Sequence, residues 1–310
     1  LALVSIIIPS FERKELLTNC LKSLLEQTFM DWECIIICEN TSENYFGFVE
    51  KLTQHDERFK VTRKHKNAKL GPSASRNIGI KLSQAKYIQF FDDDDEMYPN
   101  MLNDKVRKIQ HLDHDVVVSA MDIFSVENRT ILYCNLVYSK SIINDYILGN
   151  ISWYVSGPLW KKSFIKEYFD LKVQTLDDWD FNLRNLYHSP KVCFLNQSLQ
   201  RYNRFGMNCT LSTKEFSMGM DQTQSIFRVY RKHYKILILK NRLTDDLRDC
   251  LLKRMILLLR KSLLRKKPLS KEIFMFLIKE SKVSKIKIKY VIIGYYSYRL
   301  LNRGYRFINY

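Results

Sequence analysis

A chain of 310 residues with 46% hydrophobic composition can bury a full core, which excludes disorder along its length. Its formal net charge of +17 is localised: residues 213–310 hold 24 basic and 7 acidic residues, whereas the first 212 hold 26 of each. That imbalance excludes a uniformly cationic protein and predicts a balanced N-terminal domain, residues 1–212, followed by a basic helical region, residues 213–310, with an anionic partner.

In chain order, Val4 to Ile8 predicts a strand, Lys14 to Gln27 an amphipathic helix and Cys34 to Cys38 a second strand. A further cycle follows at Phe59 to Thr62, Ser73 to Ala85 and Tyr87 to Phe91. Repeated β-α units of this kind predict an α/β fold, a mostly parallel sheet covered by helices, whose ligands gather at the carboxyl ends of the strands. From about residue 213 the pattern turns to long helices, Asp245 to Lys266 and Lys271 to Lys282, broken at Lys267-Pro268. The opening LALVSIIIPS has no basic leader, so it reads as a strand rather than a signal peptide. No run approaches the roughly 20 apolar residues that cross a bilayer, and a transmembrane anchor is not expected. Seven cysteines without a C-x-x-C pair, most of them among apolar residues, read as buried thiols of a reducing, cytoplasmic compartment.

Carboxylates follow two of these strands: Glu39 after the second, and Asp92-Asp93-Asp94-Asp95 after Phe91. Four adjacent like charges repel, and a divalent cation relieves that repulsion; hard oxygen donors favour Mg²⁺ or Mn²⁺. The alternative is a solvated acidic turn that caps the helix starting near Pro99.

The segments VSIIIPSFERKELLTNCLKSLLEQTF, CENTS, NAKLGPSASRNIGI and YIQFFDDDDEMYP, in that order, resemble the motifs of family 2 glycosyltransferases with the GT-A fold. The resemblance spans roughly residues 3–212. It implies an inverting, metal-dependent hexosyltransferase that uses a UDP-sugar of glucose or galactose type, of the kind that builds bacterial surface glycans. Pro9, Ser10 and Phe11, with Glu12 or Arg13, match the segment that lies along the nucleotide. Glu39 and Asn40 stand where the family carries paired acids toward the nucleobase. Arg76 would pair with the diphosphate or with the acidic run, a role that suits a planar guanidinium. Asp92 and Asp94 match the family's Asp-x-Asp metal motif, with Asp94 the first choice as direct ligand and Asp93 beside the nucleotide.

Inversion also requires a base opposite the leaving group. Asp177-Asp178, in QTLDDWDFNLRNLYH, matches the family's second acidic pair, with Asp178 as general base and Asp177 holding sugar hydroxyls. Capping of a helix N-terminus is the plainer reading of the same pair. Asp180 and Arg184, four apart, are expected to form a helical ion pair. Trp179 offers a sugar-stacking face, and Trp153 and Trp160 are either further platforms for the acceptor or core material. Arg201-Tyr202-Asn203-Arg204-Phe205 and Asn208 to Ser212 resemble the family's Tyr-Arg and Ser segment, which closes over the diphosphate, with Arg204 the residue expected to act there. His111 and His114 lack a nearby third ligand and read as helix surface.

The tail alternates Lys253-Arg254, Arg260-Lys261, Arg265-Lys266-Lys267 and Lys282 to Lys289 with apolar residues. That pattern describes helices lying on an anionic membrane surface. Met255 to Leu259 and Tyr290 to Tyr298 are too apolar for a nucleic-acid surface, so no nucleic acid is expected. The combined expectation is a peripheral enzyme at the inner face of the cytoplasmic membrane, acting on a lipid-linked oligosaccharide or lipopolysaccharide-type glycan. Two other classes compete: a metal-dependent nucleotidyltransferase, which would need no base at Asp178, and a noncatalytic membrane or nucleic-acid binding protein, which would turn over no sugar nucleotide.

Overall fold

The computed structural model describes residues 1–39, 41–64, 71–205, 222–264, 269–281, 288–301 and 308. The chain divides into two compact units, Leu1–Tyr146 with Asn150–Glu215, and Ile147–Gly149 with Phe216–Tyr310. The expected boundary at residue 212 lies outside the described residues.

In the first unit, β1 (Val4–Ser10) and β2 (Trp32–Cys38) are buried at every position, as strands covered on both faces must be. Between them α1 (Lys14–Leu25) turns Leu17, Cys20, Leu21 and Leu24 inward, the three-to-four spacing of an amphipathic helix. A helix that the sequence reading passed over, α2 (Glu43–Thr53), is capped by Ser42, whose hydroxyl accepts from the Tyr45 N–H at 3.1 Å. Then come β3 (Phe59–Arg63), α3 (Pro72–Leu82), β4 (Tyr87–Phe90), β5 (Glu96–Met97) and α4 (Met101–His111). The chain continues through β6 (Val116–Ser125), β7 (Thr130–Cys134), α5 (Ile142–Leu148), β8 (Pro158–Lys161), a 3₁₀ turn (Lys162–Phe164), α6 (Asp177–Leu186) and β9 (Val192–Arg204).

One sheet joins these strands in the order β3-β2-β1-β4-β8-β6-β9-β5, with β7 on β6. It is parallel from β3 to β4, β8 runs antiparallel to both its neighbours, and β9 is parallel to β6. Ile7 lies opposite both Ile35 and Phe90, so the carboxyl ends of β1, β2 and β4 open side by side.

Two glycines set the approach of α3. Gly71 has φ 106°, a conformation that L side chains rarely adopt, and Pro72 follows it at the first helical turn. A Cβ placed on Gly79 would lie 2.3 Å from the Ile7 side chain, so α3 packs on β1 at a distance only glycine permits. The helix ends at Leu82, slightly earlier than the expected Ala85.

The second unit contains α7 (Gln222–Leu239), α8 (Asp245–Leu264), α9 (Leu269–Ser281) and α10 (Ile288–Leu301). Leu251, Leu252, Met255, Ile256, Leu259 and Leu263 of α8 are buried, while Lys253, Leu257, Lys261 and Leu264 form one exposed stripe. On α10, Val291 and Tyr295 face inward, with Tyr295 stacked on Phe274 at 3.7 Å. Tyr290, Ile293, Tyr296 and Leu300 face outward at helical spacing. Among the described residues no helix is long and apolar enough to cross a membrane. The expected break at Lys267-Pro268 and the basic residues Arg265, Lys266, Lys282, Lys285 and Lys287 lie outside the described residues.

Candidate active site

The acidic run directly after β4 divides by burial: Asp93 and Asp95 are buried, whereas Asp92 and Asp94 are half-buried. Asp93 turns under the end of β1, where Arg13 pairs with it and with Asp94. Burial pushes its carboxyl up to about 7 despite the guanidinium, with the charge of Asp94 adding to the rise. Asp95 accepts from the Asn203 backbone N–H at 3.1 Å, and the Asn203 side chain donates to the Asp94 carbonyl at 2.8 Å. The end of β9 therefore fixes the loop. Asp92, Asp94 and Asp95 each offer a carboxylate oxygen, all within 4.8 Å of one another.

Arg76, on the second turn of α3, is 5% exposed and spans two parts of the chain. One guanidinium nitrogen donates to Asp92 at 2.7 Å and the other to Asp177 at 3.0 Å. The Ser73 hydroxyl also donates to Asp177, at 2.9 Å. The N-cap position of α3 is Gly71, which leaves the Ser73 hydroxyl to Asp177.

Glu39, at the end of β2, is held from three directions: by the Ser75 hydroxyl at 2.5 Å, by the Gly71 N–H at 3.2 Å and by Lys64 at 3.2 Å. Lys64 is buried and was not anticipated; nothing in its local sequence marks it, because its partner lies on the neighbouring strand. Asn40 lies outside the described residues.

Asp177 and Asp178 open α6 after Leu176, whose φ of 64° is a left-handed conformation uncommon for leucine. The Trp179 N–H donates to Asp178 at 2.7 Å. Burial pushes the Asp178 carboxyl up to about 7, reinforced by the neighbouring Asp177 charge and opposed by that N–H and by Arg76. A carboxylate that titrates there can accept a proton near neutral pH. Asp180 meets Arg184 at 2.8 Å, the expected ion pair.

A cleft of about 210 Å³ lies over the strand ends. Pro9, Ser10, Phe11 and Arg13 line it from β1, Glu39 from β2, Arg76 from α3, and Asp92 to Asp94 from β4. The residues that the sequence placed around a nucleotide are thus brought together, with Asp177 and Asp178 joined to them through Arg76. Arg204 is exposed and does not line the cleft; Tyr202, Asn203 and Phe205 line it instead. Asn208 to Ser212 lie outside the described residues.

The acceptor platforms need correction. Trp153 is 1% exposed, with its ring N–H donating to the Val137 carbonyl at 3.0 Å. Trp160 is fully buried against the edge of Phe181. Neither indole presents a face to a sugar, because the strand and loop that carry them turn both rings into the core. Trp179 is half-buried beside Asp178, stacked on Tyr146 at 6.1 Å.

Residues 5–169 match the model of Glycosyl transferase family 2. A protein of Escherichia coli (strain K12), named as the colanic acid biosynthesis glycosyl transferase WcaA, is 30% identical over 242 residues, 74% of this chain and 81% of that one. The poly(ribitol-phosphate) beta-N-acetylglucosaminyltransferase TarP of Staphylococcus aureus (strain N315) is 28% identical over 250 residues, 77% of this chain and 74% of that one. Residues 1–349 of S. aureus TarS, solved in complex with UDP, share the fold with a TM-score of 0.60 at 16% identity, covering 94% of this chain and 78% of that one.

Proposed function

The chain belongs to family 2 of the glycosyltransferases, and we propose that it moves a hexose from a UDP-sugar, with inversion, to a lipid-linked oligosaccharide or lipopolysaccharide-type glycan. The observation that carries this reading is the Arg76 bridge, which ties the strand-end acids to the helix that bears Asp178.

The donor reading is supported by the cleft at the ends of β1, β2 and β4 and by TarS, which is solved with UDP and with UDP-GlcNAc. Asp92 and Asp94, with Asp95 beside them, are the residues that would hold Mg²⁺ or Mn²⁺: three hard oxygen donors lie close together, and two of them line the cleft. A divalent cation there supplies stabilisation of the negative charge on the departing diphosphate. Arg76 fixes the distance between Asp92 and Asp177 and lends its own charge to the donor side. Asp178 removes the proton of the acceptor hydroxyl as its oxygen attacks the anomeric carbon. With the UDP-sugar α-linked, the product is β-linked.

The acceptor reading draws on relatives named for polymer or lipid-linked substrates. One of them, GalNAc(5)-diNAcBac-PP-undecaprenol beta-1,3-glucosyltransferase of Campylobacter jejuni, is 33% identical over 105 residues, 34% of each chain. The exposed stripes of α8 and α10, apolar with lysine interspersed or flanking, support a peripheral place on an anionic membrane surface at the cytoplasmic face. The test of mechanism is product stereochemistry by proton NMR. A β-linked product is expected, and an α-linked product from an α-linked donor contradicts it.

A further inference from the structure

With Trp153 and Trp160 in the core, the sugar ring that brings its hydroxyl to Asp178 needs another surface. The structure offers one in three tyrosines from three separate elements. Tyr202 of β9 lines the cleft beside Asp92 to Asp94. Tyr154, in the loop before β8, packs its ring on Tyr202 at 5.0 Å and 36°. Tyr133 of β7 and Tyr202 of β9 stand opposite the same residue of β6, Ile123, and Tyr133 is 49% exposed. Tyr154 also lies within the field of the Asp178 carboxylate, so the inner part of the row adjoins both the acidic run and the base.

We infer that Tyr133, Tyr154 and Tyr202 form an acceptor track that seats successive sugar rings of a glycan, its inner end beside Asp178 and its outer end on β7. The inference rests on the glycosyltransferase reading of the same cleft. A sugar presents C–H faces that match an aromatic ring and hydroxyls that match a phenol, and tyrosine supplies both from one side chain. A purely apolar ligand would leave the carboxylates and phenols along this row without partners, which is costly once water is expelled. Every residue of β7 is exposed, which leaves the Tyr133 ring open to an incoming sugar. Tyr154 serves the sugar that reacts and Tyr133 the one before it.

The experiment uses the full chain with UDP and Mg²⁺, and saturation-transfer NMR titrations of six probes. These are the methyl β-glycosides of glucose, galactose and N-acetylglucosamine, and the methyl β-glycosides of cellobiose, lactose and chitobiose. The expected result is that at least one two-sugar probe binds more tightly than its one-sugar partner. Tyr154→Ala weakens both by roughly fivefold or more, and Tyr133→Ala returns the two-sugar probe to the one-sugar value. Tyr133→Phe and Tyr154→Phe keep the ring and most of the affinity. Retention of the UDP-induced rise in melting temperature shows that each variant is folded with its donor cleft intact. Alanine variants that bind the probes as the unaltered chain does, or an unaltered chain that binds none of the six, overturn the track. An unaltered chain whose melting temperature ignores UDP and Mg²⁺ overturns the donor reading instead, so the two failures are distinguishable.

Discussion

The two units treat charge in opposite ways. Among the described residues, the first buries Glu33, Lys64, Arg76, Asp93, Asp95, Lys105 and Asp180, whereas the second buries no Asp, Glu, Lys or Arg. Taking a charge out of water is expensive unless partners surround it, and a buried ion pair often contributes less stability than apolar side chains of the same size. The helical unit follows the inexpensive route, with leucines inside and lysines outside. The sheet unit accepts the cost, and Lys64, Arg76, Asp93 and Asp95 gather around the strand ends that carry the cleft. Glu33, Lys105 and Asp180 lie elsewhere in that unit. Lys105 is a fully buried ammonium whose partners are the Gln89 amide oxygen and the carbonyls of Ser156 and Gly157, and burial holds its pKa well below the usual lysine value. Buried charge therefore surrounds the cleft in one part of this unit and is a matter of loop architecture in another.

The contrast can be broken at its strongest point first. Asp178→Asn should cut turnover roughly a thousandfold while the UDP-dependent rise in melting temperature persists; turnover within tenfold of the unaltered enzyme removes Asp178 from the role of base. Chelation with EDTA should abolish sugar transfer, and Mg²⁺ or Mn²⁺ should restore it; full activity in EDTA speaks against a cation at Asp92 and Asp94. Arg76→Met should destabilise the fold by about 3 kcal/mol in urea unfolding, because Asp92 and Asp177 lose their shared cation. A loss below about 0.5 kcal/mol would show that solvent already compensates those acids.

The titration of Asp178 sharpens the comparison further. A base must be ionised, so kcat/KM should rise with pH through about 7. The stability effect has the opposite sign. Because the folded carboxyl holds its proton to higher pH than the unfolded one, Asp178 lowers stability progressively as pH rises from about 4 to about 7. Asp178→Asn should then melt higher than the unaltered chain at pH 8, with the advantage shrinking toward pH 5. Equal melting temperatures at both values argue that the carboxyl is not perturbed. The smallest effects belong to the helical unit. Replacing both Lys253 and Lys261 by Glu should leave unfolding within about 0.5 kcal/mol. Flotation with phosphatidylglycerol vesicles should fall by about tenfold or more, and unchanged flotation excludes the α8 stripe as a membrane contact.

How much of this was legible in the sequence depends on range. The strands β1, β2, β3 and β4 were read within a few residues; β1 and β2, buried at every position, carry the runs Ile6 to Ile8 and Ile35 to Ile37, whereas β3 is only partly buried and keeps Lys60 and Arg63. The acids at the end of β4 and the start of α6 were visible as clusters. Their joining through Arg76 was one of two pairings proposed for that side chain, and the Asp177 half of it was not foreseen. Lys64 and Tyr154 were missed since each gains its meaning from a partner far along the chain, Glu39 in one case and Tyr202 in the other. Trp153 and Trp160 were ambiguous because an aromatic residue in a turn carries no local sign of which way its ring faces. The two rings of Tyr154 and Trp153, adjacent in sequence, take opposite fates.

The close contact of α3 with β1 has a practical corollary. Arg76 sits one turn before Gly79 on the same helix, and the reach of its guanidinium to two acids depends on how deep that helix lies. A single added methyl group at Gly79 would lift the whole cylinder off Ile7 by an ångström or so. That shift is comparable to the tolerance within which a reactive arrangement survives. An inactive form of this enzyme can thus be made with every chemically active group still present, by adding one carbon atom where the helix meets β1.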